Sequence, residues 1–250
     1  MTQQKVFMPF RLRDGGDPGR GINLEVAQAW WYGHGYDPVI VSDEGQGNAP
    51  FDRNRAYNIA VRDNPECETY IFAEADLLVH PDQISIAVQE AQASNGVVIP
   101  FSEVRYIGST VTTFIWDTFH SMSTKDLAKW WALPATDINS VFDMRSDSTR
   151  KNSGVMGSTH VVSRNTLLDV GGYSEALQGF QYNDQALGEG FTYLTKKIRE
   201  AGGPALHLYH EQDEDEAESV ERNEKILTSI RRMARAKDKT GVRRMMKYRR

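Results

Sequence analysis

The sequence predicts one α/β domain, a mostly parallel central sheet flanked by helices, followed by a basic helical tail. Short apolar runs alternate with segments of helical period over the first hundred residues, and each run stops at a loop carrying glycine or acid. Positive charge then concentrates beyond residue 219.

Residues 5–10 (KVFMPF) read as the first strand, and the turn-forming stretch RLRDGGDPGRG separates them from a helix that opens at Ile22. Leu24, Ala27, Trp30 and Trp31 share one face of that helix, which ends at Gly33 or Gly35. PVIVSDEG is a second buried strand, residues 53–61 (RNRAYNIAV) a helix, and TYIFAEADLLVHP a third strand. Residues 82–94 form a helix with Asp82 as its expected N-cap, and GVVIPF is a fourth strand. In a parallel sheet covered on both faces, ligands gather at the carboxyl ends of the strands.

Residues 102–150 show no clear period apart from a helix around KDLAKWWAL, a length that marks a functional lid or a mobile segment. Beyond Gly154, GSTHVVSRNTLLDVGGY reads as a strand and a short helix closed by Gly171 and Gly172. Residues 191–201 look helical, PALHLYH looks like a strand, and the tail from Ser219 has helical composition. Its end, VRRMMKYRR, is expected to be disordered unless bound.

With 250 residues, 40% of them hydrophobic, the chain can bury one large core. It has no apolar run of membrane-spanning length, and MTQQKVFMPF lacks the features of a signal peptide, so the expected location is cytoplasmic. The single cysteine, Cys67, excludes an internal disulfide and any multi-thiolate zinc site. The net charge of −5 is uneven: twelve Lys/Arg against Glu224 and Asp238 give residues 222–250 a charge of +10, leaving −15 on residues 1–221. Such a tail can contact nucleic acid, an anionic surface, or the acidic segment EQDEDEAESVE just before it.

Three constellations can carry chemistry. In Glu74-Ala75-Asp76, strand alternation projects both carboxylates to one side at the ligand edge, where they could hold Mn²⁺ or Mg²⁺; a solvated strand end is the plain alternative. His210 ends the run PALHLYH and could complete such a shell, with His207 read on the same face; either could equally be a packed histidine. Asp184, in the glycine-containing loop GFQYND before a helix, could act as a general base or merely cap that helix.

The order of these segments resembles the GT-A glycosyltransferases, in particular the β-1,4-galactosyltransferase and chondroitin-polymerase types. Met8-Pro9-Phe10-Arg11-Leu12-Arg13 is similar to their opening PFRxR segment, Val41-Ser42-Asp43 to their base-reading segment, and residues 53–58 (RNRAYN) to the helix start preceding their metal motif. Glu74-Ala75-Asp76 stands where they carry DxD, with Glu in the first place. Gly171-Gly172-Tyr173, Gly179 to Asp184, and Tyr209-His210-Glu211 resemble the acceptor segment and the late metal histidine.

This resemblance implies a glycosyltransferase domain over residues 1–218, with a nucleotide-binding half in 1–100, an acceptor half in 101–218, and the tail over 219–250. It implies Asp76 and His210 as metal ligands for Mn²⁺ or Mg²⁺, Asp184 as the base of an inverting transfer, and a nucleoside-diphosphate sugar, UDP-sugar favoured, as donor. Pro9, Arg11, Arg13, Asp43, Arg55, Asn58, Glu74 and Ala75 would line the donor; Trp130, Trp131, Gly157 and Asn183 would line the acceptor, with one ring of the Trp pair expected in the core. The acceptor would be a glycan, a protein or modified DNA. Two other readings stand beside this one: a sugar nucleotidyltransferase, and a nucleic-acid or virion-associated binding protein using the tail.

Overall fold

The computed structural model describes residues 3–12, 14, 16–47, 49–94, 96–121, 148–151, 156, 158–179, 181–195, 198–211 and 217–247. Arg13, Trp130, Trp131, Gly157 and the segment KDLAKWWAL lie outside them. The strands are β1 (Gln4–Pro9), β2 (Val39–Val41), β3 (Thr69–Phe72), β4 (Leu77–Val79), β5 (Val97–Ile99), β6 (Glu103–Tyr106), β7 (Ser148–Lys151), β8 (His160–Ser163), β9 (Ile198–Glu200) and β10 (Pro204–His207). The helices are α1 (Gly19–Gly33), α2 (Arg53–Asp63), α3 (Pro81–Ala93), α4 (Ser109–Ser121), α5 (Arg164–Val170), α6 (Asn183–Thr195), α7 (Ala217–Arg235) and α8 (Lys239–Met246).

The main sheet has the order β2-β1-β3-β8-β5-β9, and a smaller sheet the order β4-β10-β6-β7. β1, β2 and β3 are parallel, β8 is antiparallel to both β3 and β5, and β9 is parallel to β5. Five of six strands therefore share one direction, and the sheet is mostly parallel. Strand alternation divides the core between its two faces. Val6, Met8 and Ile71 join the cluster that contains Trp30 and Trp31 of α1 and Ile84 and Val88 of α3. Phe7, Tyr70 and Phe72 join the cluster built with α2, α6, α7 and α8. Each large side chain fully buried in this way contributes about 2 kcal/mol.

The run expected to be one third strand is two. β3 ends at Phe72, the chain turns through Glu74-Ala75-Asp76, and β4 enters the other sheet, antiparallel to β10. Asp82 is not the cap of α3: His80 takes that place, accepting from the Asp82 amide, with Pro81 at the first helical position. Residues 191–201 are not one helix, because α6 begins at Asn183 and stops at Thr195, and residues 198–200 add an edge strand beside β5. α5 does end at Gly171, whose φ of 100° lies where a side chain would be strained, and whose amide caps the Leu167 carbonyl.

The tail folds back onto the body. Ile226, Leu227, Ile230, Val242 and Met246 are buried in the second cluster, so residues 242–246 are ordered helix rather than the disordered end expected from their composition. No helix among the described residues is long and apolar enough to cross a membrane.

Candidate functional site

The parallel strands β1, β2 and β3 deliver Arg11, Asp43 and Glu74 to one edge just past their carboxyl ends. From the second sheet, β10 leads into residues 208–210 and returns two histidines to the same edge. Nε2 of His210 lies 3.1 Å from Oδ2 of Asp76, and Nε2 of His207 lies 4.0 Å from Oδ1. One ligand atom from each of the three residues falls within 4.8 Å of the others.

Two residues separate His207 from His210, an i, i+3 spacing that strict alternation would send to opposite faces, against the same-face reading of the run. β10 ends at His207, however, and the chain beyond it leaves the pleat. That loop is pinned on several sides. The Tyr209 carbonyl accepts from Asn23 Nδ2 at 3.0 Å, the Tyr209 amide donates to Thr112 Oγ1 at 2.9 Å, and the Glu211 amide donates to Asp17 at 3.1 Å. Trp116 in turn donates to Asn23 at 2.9 Å, and the Tyr106 ring packs 4.8 Å from that of His207.

The imidazoles are oriented as ligands commonly are. Nδ1 of His207 lies 2.8 Å from the Leu208 carbonyl, and Nδ1 of His210 lies 2.8 Å from that of Glu211. Each carbonyl fixes a proton on Nδ1 and turns Nε2 toward Asp76, the arrangement by which an outer hydrogen bond sets a metal ligand's tautomer. Arg20 Nη2 stands 3.3 Å from His210 Nδ1, farther than the carbonyl.

Burial pushes the Asp76 carboxyl up, but the charges of His207 and His210 and the bond from His210 outweigh it and hold it at about 2. Burial pushes His210 down, and the bond to Asp76 outweighs that and raises it. Glu74 is driven well above the ordinary carboxylate range, first by burial and then by Asp76, with Arg53 opposing. An anionic oxygen and two imidazole nitrogens can hold a first-row divalent cation, Mn²⁺ among them, which would replace the proton between His210 and Asp76. These residues fit such an ion.

A second, charged layer lies beside this cluster. Arg53, the first residue of α2, donates to Asp184 and, at 3.4 Å, to Glu74 Oε1. Burial lowers its basicity, while Asp184 and Glu74 more than restore it. Asp184 is delivered by a sharp turn in which Gly179 and Tyr182 both have positive φ, at 71° and 61°; for Tyr182 this is an uncommon backbone state. The turn is held from α2. Asn54 Nδ2 donates to the carbonyls of Ser174 and Leu177 and to Asn183 Oδ1, and Asn58 bonds both backbone groups of Tyr173.

Sequence reasoning missed Arg53 and Arg20. Within the segment 53–58 the sequence points to Arg55 and Asn58. Arg55 points outward to Glu44 at 2.9 Å, and Asn58 is spent on residues 173–175. Residues 53 and 57 share the face toward the site, a signal available from helical spacing. Arg20 was hidden because the helix was expected to open two residues later.

Arg11 and Asp43 are engaged with each other at 2.7 Å, and Arg11 also donates to the carbonyls of Gly47, Ala49 and Pro50. Burial raises Asp43, but Arg11 and the amides of Asp52 and Gly45 outweigh it and keep the carboxyl below its ordinary range. The pair shapes residues 43–52 into the rim that precedes α2. Ala75 is half-buried against the first core cluster, between the two acids. A separate depression of about 530 Å³, lined among others by Lys5, Tyr36 and Val39, lies at the amino ends of the strands, away from these groups.

A mostly parallel sheet whose third strand ends in an acidic pair, with a second sheet returning histidines to that pair, defines the GT-A class of fold. Among solved structures, the catalytic domain of Drosophila β1,4-galactosyltransferase 7, in a complex with xylobiose, is similar over 91% of this chain and 80% of its own, at 10% identity and a TM-score of 0.52. A glycosyltransferase involved in the glycosylation of the major capsid of PBCV-1 aligns over 90% of this chain and 98% of its own, at 11% identity and a TM-score of 0.38. No protein-family model and no curated protein matches the sequence.

Proposed function

We propose that this protein is a metal-dependent glycosyltransferase moving a sugar, with inversion, from a nucleoside-diphosphate donor to an acceptor hydroxyl. The observation that carries the reading is the convergence of Asp76, His207 and His210 at the ligand edge of a GT-A fold. Asp76 and His210 hold the cation, and His207 is its third protein ligand. A bound Mn²⁺ or Mg²⁺ there supplies Lewis-acid neutralisation of the departing diphosphate.

The chain's own groups do the rest. Asp184 takes the proton from the acceptor hydroxyl as it attacks the face opposite the leaving group. Arg53, bonded to Asp184 and Glu74, holds the Asp184 carboxylate in place. Asn54, Asn58 and Asn183 act by positioning that turn rather than by touching the donor. Pro9, Ala75 and the rim built by Arg11, Asp43 and Arg55 border the nucleotide, and UDP is the favoured nucleotide only through the resemblance to galactosyltransferases.

A screen of nucleotide sugars for hydrolysis or transfer tests this reading. Turnover of at least one donor in Mn²⁺, abolished by EDTA, is the expected result. Release of pyrophosphate from a nucleoside triphosphate instead would transfer the assignment to a nucleotidyltransferase.

A further inference from the structure

The donor and metal edge leaves one large charged feature without a task. α7 and α8 are joined by a tight turn at Lys237, whose φ is 58°, and both bury their apolar faces against α6. The first half of α7 also exposes Glu218, Glu221 and Glu224, but from residue 225 onward what remains outward is cationic: Arg232, Arg235, Lys239, Arg243, Arg244 and Lys247 are all exposed. From residue 225 to 247 the only acid is Asp238, and its carboxylate is occupied in capping α8 through the Gly241 amide at 2.8 Å. Arg231 is answered by Glu189 on α6 at 2.6 Å.

Helix dipoles explain part of this pattern, since Arg235 and Arg244 close the last turns of their helices. They do not explain Lys239, which opens α8 where the dipole disfavours a cation, or, among the described residues, the lack of ion pairs around the rest.

We infer that the α7–α8 face binds the phosphate backbone of a nucleic acid. Three features select this occupant over an anionic bilayer or an acidic protein. Five of the charges on this face, counting Arg231, are arginines, whose guanidinium forks match phosphate oxygens. Among the described residues, no exposed large apolar side chain lies on either helix, whereas a membrane-surface helix needs such groups to insert. Residues 1–221 sum to −15, so the net field of the body disfavours a polyanion there and favours the basic helices. The face is also tied to the reaction edge: Glu189, bonded to Arg231, lies on the same helix as Asp184, about 8 Å along its axis at 1.5 Å per residue.

The test is fluorescence anisotropy of the full chain with a labelled DNA duplex of about 30 base pairs, in the absence of any sugar donor, across about 50 to 200 mM salt. Binding should weaken with salt along a log–log slope of about −4, the value for four to five phosphates neutralised. The variant Arg232→Glu/Arg235→Glu/Arg243→Glu/Arg244→Glu changes only exposed positions. It should bind at least tenfold more weakly and stay folded, its melting temperature falling only by the several degrees that reversed charges at two helix C-termini cost, while a fourfold Arg→Lys variant stays within about threefold of wild type. Three results would overturn the inference: no DNA binding by wild type at low salt, equal binding by the Glu variant, or preference for phosphatidylserine vesicles or polyglutamate over the duplex. None of them depends on whether a donor sugar is ever transferred, so the glycosyltransferase reading stands or falls separately.

Discussion

The side-chain amide of Asn54 donates to Oδ1 of Asn183 at 3.2 Å, joining the first turn of α2 to the first turn of α6. Arg53 and Asp184, one residue to either side of this bond, are thereby set face to face. Because Asn54 is fully buried and also serves the carbonyls of Ser174 and Leu177, replacing it with an apolar isostere strands several acceptors.

Asn54→Leu should therefore cost about 3 kcal/mol, the penalty for buried acceptors left unpaired. For a chain of this size the melting temperature should drop by about 6 to 12 °C, read by circular dichroism. A change below one degree would mean that this bond does not hold the turn.

Asp184→Asn keeps the shape of the side chain and removes its ability to accept a proton. The turnover number should fall by about 10²- to 10⁴-fold, while UDP affinity, measured separately, stays within about twofold. Full residual transfer would take Asp184 out of the chemistry.

His160, which is not one of the three metal-site residues, offers a pH test. It is 2% exposed, donates or accepts at Tyr173 Oη (2.7 Å), and contacts the Ser158 carbonyl at 2.9 Å. Burial pushes it down to about 4, with the Ser158 carbonyl opposing and Arg53 assisting. The folded value is depressed, so its contribution is fully present above the unfolded value of about 6.5 and is lost as pH falls toward 4. Wild type should lose about 3 kcal/mol more than His160→Gln between those limits, at about 1.4 kcal/mol per unit. Parallel urea-unfolding curves for the two proteins over that interval would contradict it.

How much of this was readable beforehand follows from what periodicity carries. β1 and β3 were legible because strands covered on both faces are continuous apolar runs, and the loops after them announced the ligand edge; β2, expected to be buried, is instead the sheet's edge and leaves Val39 and Ile40 exposed. Strand direction leaves no trace in such runs, so the antiparallel β8 could not be foreseen. The break of 69–79 into two strands was obscured because Ala73 and Leu77 to Val79 are as buried as β3 itself. α8 was misjudged because its charges dominated the composition, although Val242 and Met246, four apart, already marked a buried stripe. Asp76 and His210 were named from sequence. His207 was read on the same face as His210, which alternation does not give residues three apart; the end of β10 at His207 is what lets both face one carboxylate, and Arg53 emerges only from its partners.

Calorimetric titration of UDP into wild type, Asp76→Asn and His210→Ala, each in Mn²⁺ and in EDTA, asks most directly whether Asp76 and the histidines hold a cation. Wild type should bind UDP at least tenfold more tightly in Mn²⁺ than in EDTA, and both variants should lose that difference. Identical wild-type affinities in the two buffers, or an undiminished Mn²⁺ effect in the variants, would contradict the account.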